Sequence, residues 1–271
     1  MNPGCLSIKW GNIMLTAIFD GSLDGFLSVV YSNYYDKRSY DYVYEDNVYQ
    51  QQLDAEYFYV PTNPPHSVKV MDAAGKRISP EAQSNICYCC MASDENRYTS
   101  LLHYVRLGFK AGPSVDNYLQ NPHVLKVHKL VKYTLHDGHL LTGFCRFKET
   151  ANGVFYASIS PVNNVLPILA EHFRERFMNQ PWVIHDTARG IAAVYDCRDY
   201  IIEPVHLKAN VDCSGDEALF QELWKAFFDT IAIKERTNRK LQRNLIPLHF
   251  RKHVTEFNRL TKGADAGSIK T

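Results

Sequence analysis

The spacing of apolar and polar residues along the chain predicts alternating strands and helices. The apolar run at 14–19 predicts a short strand, and from Leu23 to Tyr34 apolar side chains recur at i, i+3, i+4 and i+7, the spacing of a helix. Ser22 is the expected N-cap of this helix. The same pattern and the breakers around it predict further helices over 80–91, 95–109, 122–137 and 165–177. The segment 40–60 has too weak a periodicity to be assigned.

A β-sheet is predicted between His139 and Asp199. Residues 139–147 alternate with the period of two that is typical of a strand. Asn152-Gly153 favours a hairpin turn, and Pro161 ends the return strand because proline has no N–H to donate to a ladder. Beyond the helix at 165–177, further strands are predicted at 182–186, 191–195 and 200–205, with residues 187–190 turning the first of these into the second.

These elements define the predicted architecture. The fold class is α+β, with an antiparallel β-sheet of about five or six strands packed with helices. Leu166, Leu169 and Phe173 lie on one helical stripe and are expected to pack on the sheet. Because no linker-like composition interrupts the chain, a single domain is expected over residues 1–262, followed by a flexible tail at 263–271. The strands expected to share the sheet are 139–147, 154–160, 182–186 and 191–195.

Composition indicates where the protein acts. Contents of 45% hydrophobic and 22% charged residues are ordinary for a globular protein. The seven cysteines are odd in number and lack paired spacing, and the first residues lack the positive region and apolar run of a secretory signal. No apolar run approaches the ~20 residues of a membrane helix. A cytoplasmic location is therefore expected, with reduced thiols and no membrane association.

Charge is unevenly distributed, although the formal net charge is only +1. Residues 1–60 carry eight acidic and three basic side chains, whereas residues 234–260 carry eight basic and two acidic ones. The basic stripe, four residues at i, i+3, i+4 and i+7, consists of Arg236, Arg239, Lys240 and Arg243. With Arg251 and Lys252 nearby, the basic stripe is predicted to contact nucleic-acid phosphates. The alternatives are an ordinary solvated helix face and pairing with the acidic N-terminal segment.

Five short motifs lie in and around the predicted sheet. They are Asp137-x-His139, Gly143-Phe144-Cys145-Arg146-Phe147, Ser160-Pro161, His172-Phe173-x-x-Arg176-Phe177 and Trp182-Val183-Ile184-His185-Asp186. Together they resemble the motifs of an uncharacterised bacterial family labelled as DNA metabolism or repair proteins. The resemblance covers roughly residues 14–257. The family often has Glu where this chain has Asp137, a difference that keeps the carboxylate.

The resemblance implies a role in DNA metabolism or repair, with DNA as a partner. Members of that family are commonly paired with a radical SAM protein, so such a protein is a second implied partner. A related domain occurs fused in front of uracil-DNA-glycosylase-like domains. The catalytic motifs of those glycosylases do not occur in this sequence. The resemblance therefore supplies a biological context and leaves the mechanism open.

Several cofactor and metal motifs are absent from the sequence. Cys87-Tyr88-Cys89-Cys90 is not the C-x-x-x-C-x-x-C of a radical SAM cluster and lacks the second pair of a zinc site. These thiols are expected on a helix, where they pack as small apolar groups. Nor does the chain contain a phosphate-binding P-loop, a dinucleotide fingerprint or the zinc motif of the base deaminases. No cofactor and no metal site are predicted.

A polar constellation on the predicted sheet is the candidate site. If strands 139–147 and 182–186 are neighbours, two acids, two imidazoles and two guanidiniums converge and could hold a phosphate or perform acid–base chemistry. The candidate catalytic residues are Asp137, His139, His185 and Asp186. The candidate phosphate-binding residues here are Arg146 and Arg189. The alternative is a structural Arg146–Asp186 pair, with the histidines hydrogen-bonded to backbone.

Three functions follow from these features. The favoured hypothesis is a nucleic-acid-binding DNA metabolism or repair protein that acts with a radical SAM partner. The second is a free-standing nuclease- or glycosylase-type enzyme that uses the candidate catalytic residues. The third is a non-catalytic scaffold that stabilises the partner. His172 and Arg176, which share a helical face, either extend the site or are solvated.

Overall fold

The structure is a computed structural model that describes residues 14–47, 55–205 and 246–255. The chain divides into two compact units, residues 1–134 and residues 135–271, and each unit is described by itself. The expected single domain over 1–262 stays a prediction. The expected tail at 263–271 and the basic stripe, Arg236, Arg239, Lys240 and Arg243, lie outside the described residues.

The first unit contains a parallel three-stranded sheet. The central strand, β1 (Met14–Phe19), pairs on one side with β2 (Tyr42–Glu45) and on the other with β3 (Ala55–Tyr59). Helix α1 (Leu23–Tyr35) connects β1 to β2, as a parallel pair requires, because a tight hairpin joins only antiparallel strands. The two strands β2 and β3 lie in the segment that the sequence left unassigned.

Helices surround this sheet and close the core of the first unit. Phe19 of β1 packs edge-on against Tyr98, whose ring centroid lies 5.5 Å from that of Phe26. The Ser22 hydroxyl accepts the N–H of Gly25 at 2.9 Å, which confirms the predicted N-cap. The remaining helices of this unit are α2 (Pro64–Arg77), α3 (Pro80–Cys90), α4 (Arg97–Ala111), a 3-10 turn (Gly112–Asn117) and the start of α5 (Pro122–Phe144).

The cysteine cluster lies on α3, as predicted, and its thiols are free. Burial raises the pKa of the Cys89 thiol to about 12, so this thiol stays protonated at neutral pH. Burial likewise raises the pKa of Cys87 and of Cys90. Such thiols pack as small apolar groups. Within the described ranges, three or more metal-ligating side chains do not gather at any one place.

The second unit contains a mixed five-stranded sheet in the order β4-β5-β6-β7-β8. The sheet begins at a hairpin in which Gly153, at φ +75°, makes the turn predicted at Asn152-Gly153. A second turn at 187–190 joins β6 to β7, also as predicted, and β8 adds to the edge. The strands are β4 (Lys148–Glu149), β5 (Phe155–Ile159), β6 (Trp182–Asp186), β7 (Ile191–Tyr195) and β8 (Tyr200–Pro204).

The expectation of an antiparallel sheet is wrong for its centre, because β5 and β6 run parallel. They are joined by α6 (Leu166–Arg176). This connection returns the chain to the end of the sheet at which β5 begins, so that β6 runs in the same direction as β5. The other pairs of this sheet are antiparallel. The architecture is therefore mixed α and β, with one parallel sheet and one mixed sheet.

The predicted strand at 139–147 is also wrong, because α5 continues to Phe144. The predicted helix end at residue 137 is wrong as well, because Gly138 lies inside α5, where an added Cβ would come within 3.2 Å of Ile168. Glycine serves here for close packing rather than for helix termination. Leu141 and Cys145, spaced i and i+4, are both buried in the core of the second unit. Among the described residues, no helix combines the length and apolar character needed to cross a membrane.

The core of the second unit lies between α6 and one face of the sheet. The predicted stripe of Leu166, Leu169 and Phe173 is buried there. The ring of Phe173 packs edge-on against Phe147 at 4.9 Å and stacks on Phe177 at 5.7 Å. Phe173 therefore links α6 to the segment that precedes the hairpin.

Replacing Phe173 with alanine should leave a cavity in this core. We expect Phe173→Ala to lower the free energy of unfolding by about 3–5 kcal/mol, measured by chemical denaturation. Arg176→Ala, at an exposed position of the same helix, is the control and should change stability by no more than ~0.5 kcal/mol. Equal effects of the two substitutions would contradict this account of the core.

Candidate functional site

One face of β5 presents hydroxyl groups while the other face enters the core. Ala157 and Ile159 are buried in the core, and the alternation of a strand places Tyr156 and Ser158 on the opposite face. Ser160 continues this polar series just beyond the strand end. The polar face of β5 thus carries three hydroxyls in a row.

His185 of β6 joins this row of hydroxyls. The parallel register places its Cα opposite that of Ser158, so the two side chains share a face. Its Nδ1 lies 2.8 Å from the hydroxyl of Tyr156, and the side chain is almost fully buried. Burial lowers the pKa of His185 and raises the pKa of Tyr156, so both groups favour their neutral forms at pH 7.

His253 bridges two of the hydroxyls from a distant part of the chain. It follows a short helix, α7 (Leu248–Arg251). Its Nδ1 lies 2.9 Å from the Ser158 hydroxyl oxygen, and its Nε2 lies 3.0 Å from that of Ser160. A neutral imidazole has one donor and one acceptor, so one serine donates to the ring and the other accepts from it. These five residues, Tyr156, Ser158, Ser160, His185 and His253, are called the sheet-face site below.

Burial and nearby cations keep His253 neutral. Burial is the largest cause that lowers its pKa, to about 4, and the charges of Lys252 and Lys148 act in the same direction. Lys148 is the Cα partner of Tyr156 across the β4–β5 pair, so it projects from the same face as the hydroxyls. The imidazole is therefore neutral at pH 7 and has a lone pair beside two cationic side chains.

Asp186 and Arg189 form a structural ion pair. The carboxylate of Asp186 is fully buried and accepts a hydrogen bond from Arg189 Nη1 at 2.8 Å and from the N–H of Ala188 at 3.0 Å. The same guanidinium donates to the carbonyls of Pro161 and Val162. This pair ties the β6–β7 turn to the loop after β5. The alternative of a structural Arg146–Asp186 pair names the wrong partner for Asp186, because Asp186 pairs with Arg189.

Asp137 and His139 lie on α5 and Arg146 follows its end, so none of these predicted residues lies on a strand. Asp137 accepts a hydrogen bond from Asn163 Nδ2 at 2.7 Å, and His139 is exposed. Arg146 donates to the carbonyl of Gly143 at 2.7 Å. The predicted convergence of these side chains with His185 and Asp186 required residues 139–147 to form a strand. Because α5 continues to Phe144, that strand does not form. Catalytic roles for Asp137, His139, His185 and Asp186, and phosphate contacts by Arg146 and Arg189, stay predictions.

The two basic residues predicted to lie near the basic stripe, Arg251 and Lys252, are within the described residues. Arg251 Nε donates to the carbonyl of Ile246 at 3.1 Å, and Lys252 is exposed next to His253. On α6, His172 packs its ring against Phe173, and Arg176 is exposed.

Sequence reasoning missed His253 and the serines it bridges. The alternation of polar and apolar residues in β5 is enough to place Tyr156, Ser158 and Ser160 on one face, but no motif marks serines for proton transfer. Ser158 and His253 are 95 positions apart, so no local spacing connects them. Only the fold brings these residues together.

Comparison with known proteins identifies a family without assigning a function. A family model described as a domain of unknown function, DUF4130, matches residues 95–256, more than half of the chain. The matched range includes every residue of the sheet-face site. The search of curated proteins finds no significant match.

The depressed pKa of His253 predicts how stability varies with pH. Its usual pKa is 6.5 and its folded pKa is about 4. Between these values the unfolded chain binds a proton that the folded chain does not, so the free energy of unfolding should fall as pH falls. His253→Gln should reduce that fall, measured by urea denaturation at pH 7 and pH 5.

The control for this measurement is His139→Gln, at an exposed histidine. The control should keep the pH dependence of the unmodified protein. An unchanged pH dependence in His253→Gln would show that the folded environment does not disfavour the charged imidazole.

Proposed function

The chain belongs to the DUF4130 family, and we propose that it is a nucleic-acid-binding protein of DNA metabolism whose sheet-face site performs acid–base chemistry. The observation that carries this proposal is the neutral imidazole of His253 held between two serine hydroxyls. The DNA context is supported by the motif resemblance alone. The chemistry is supported by the geometry of the site.

The hydrogen bonds favour a specific direction of proton transfer. If Ser160 accepts from Nε2–H, the lone pair of Nδ1 is left to accept the hydroxyl proton of Ser158. A nucleophile within hydrogen-bond reach of a base, which is in turn oriented by a third group, is the general arrangement of an activated serine. Ser158, His253 and Ser160 have the distances that this arrangement requires. Ser158, or a water in its place, is then the nucleophile.

The cations beside the imidazole favour an anionic substrate. Lys148 projects from the same face of the sheet, and Lys252 is the direct neighbour of His253. Ammonium groups contact phosphate oxygens as point charges. A phosphodiester placed over β5 would meet the lysines through its oxygens and Ser158 through its phosphorus atom. This supports nucleic acid over an uncharged substrate.

His185 and Tyr156 form the second proton-carrying pair on the same face. Their hydrogen bond of 2.8 Å joins a neutral imidazole to a phenol whose pKa is raised by burial. Because its pKa is raised, the phenol stays protonated at pH 7, and it is the group of this pair that has a proton to donate to a leaving oxygen. The site thus has a base on one side and an acid on the other. This pairing favours the free-standing nuclease-type alternative over a non-catalytic scaffold.

A radical SAM protein is the proposed partner in the cell. The support for this partner is the resemblance of the five motifs to a family commonly paired with such proteins. In this arrangement the radical enzyme modifies the nucleic acid, and the sheet-face site acts on the same substrate.

The proposal predicts an activity that depends on His253. The purified protein should change a damaged or single-stranded oligonucleotide, and His253→Ala should lower the rate about 10²- to 10⁴-fold, the usual contribution of a general base. Ser158→Ala should cause a similar loss. The measurement is separation of labelled products on a denaturing gel, with and without the radical SAM partner.

The control is His136→Ala, which changes an exposed histidine of α5. It should leave the rate unchanged. If only the complex with the partner is active and His253→Ala leaves that activity intact, the catalytic role of the sheet-face site is wrong. Binding without any chemical change, with or without the partner, would support the scaffold instead.

A further inference from the structure

A basic cavity lies in the first unit. It has a volume of about 550 Å³ and is bordered by the end of α1, by α4 and by the start of α5. Three cationic side chains line it, Lys37, Arg106 and Lys110, together with His103 and His123. This volume lies within the range of small-molecule sites and accommodates a nucleotide-sized group.

The lining of this cavity is basic. Its lining, taken over the described residues, contains neither aspartate nor glutamate. Asp36 accepts the Ser32 hydroxyl at 2.8 Å, and Asp41 accepts the backbone N–H of Leu15 at 2.9 Å, although the negative charge of Asp41 also acts on Arg106 and His103. The side chains that line the basic cavity therefore carry a net positive charge.

Hydrogen bonds fix the guanidinium of Arg106 at the wall of the cavity. Its guanidinium donates to the side chains of Asn33 and Ser39, both of which line the cavity. The rings of His103 and His123 stack with centroids 4.2 Å apart, and burial lowers the pKa of each. A fixed guanidinium flanked by neutral imidazole donors is well suited to phosphate oxygens.

An aromatic cavity adjoins the basic one and shares Tyr34 with it. It has a volume of about 330 Å³, and its lining includes Tyr31, Tyr35, Lys69 and Arg77. The ring of Tyr31 stacks on Tyr35 at 4.2 Å and on His66 at 3.7 Å. Tyr35 is 67% exposed, so its ring is available for a further stacked group.

We propose that these two cavities form one groove that binds a single strand of nucleic acid. The backbone phosphates contact Lys37, Arg106 and Lys110, and unpaired bases stack on Tyr34 and Tyr35. Lys69 and Arg77 hold the next phosphates. Alternating cations and exposed aromatic rings are the features with which proteins bind single strands, since stacking on a ring requires a base released from its pair. The inference rests on the proposed function in that the ligand is nucleic acid, but it uses none of the sheet-face residues.

Fluorescence anisotropy with a labelled polythymidine of about 16 nucleotides tests the groove. Tyr35→Ala should weaken binding about five- to a hundredfold, the range expected for loss of one stacked base. The double variant Lys69→Glu with Lys110→Glu should flatten the slope of log K against log salt by about 1.4, since each phosphate contact to a single strand contributes ~0.7.

Matched controls remove the same groups outside the groove. Tyr133→Ala changes a tyrosine that is 60% exposed on α5, and Lys129→Glu with Lys132→Glu reverses two exposed charges on that helix. Both controls should bind like the unmodified protein. Equal weakening by controls and groove variants, no binding of polythymidine by the unmodified protein, or tighter binding of duplex than of single strand would each overturn the inference.

The same titration distinguishes the groove from the sheet-face site. His253→Ala should bind polythymidine with unchanged affinity while losing activity. Loss of binding in His253→Ala, with unchanged binding in the groove variants, would overturn the groove and leave the proposed function standing. Weakened binding in the groove variants, with no oligonucleotide changed by any form of the protein, would support the groove and contradict the proposed catalysis.

Discussion

The parallel pairing of β5 with β6 positions the polar groups of the second unit. Its register places Ser158 opposite His185 on the outer face and Ile159 opposite Asp186 on the core face. A shift of one residue would exchange these faces, moving the imidazole to the core side of the sheet and the carboxylate to the opposite side. The Asp186–Arg189 pair protects this register, because the guanidinium also binds the carbonyls after β5. Removing Arg189 would leave the fully buried Asp186 carboxylate without its ion-pair partner, so the candidate chemistry depends on a structural ion pair.

Much of this fold could be predicted from local signals. Helical spacing identified α1, α4 and α6, and glycine and proline marked the turns around β5 and β7. The parallel direction of β6 could also be predicted, because a helix between two strands indicates a parallel pair. The end of α5 could not be predicted, since Leu141 and Cys145 fit both a strand alternation and an i, i+4 helical pair. The packing of Gly138 on Ile168 distinguishes the helix from the strand, and that contact joins distant parts of the chain.

The candidate site was predictable only in part, for a related reason. The motif around His185 marked one imidazole, but His253 reaches Ser158 and Ser160 from the far end of the chain. The two proposed contacts with nucleic acid also differ physically. The groove of the first unit offers charge and exposed rings, which suit affinity without chemistry. The sheet-face site offers buried, neutral imidazoles bonded to hydroxyls, which suit proton transfer.

The central claim is that a neutral His253, bonded to serine hydroxyls, meets nucleic acid. Nuclear magnetic resonance of the imidazole nitrogens, recorded across pH and then with a single-stranded oligonucleotide, tests it most directly. The account predicts a titration midpoint for His253 near 4 and shifts of the His253 and His185 signals when the oligonucleotide is added. A midpoint near the ordinary value of 6.5, with both signals unmoved by the oligonucleotide, would contradict it.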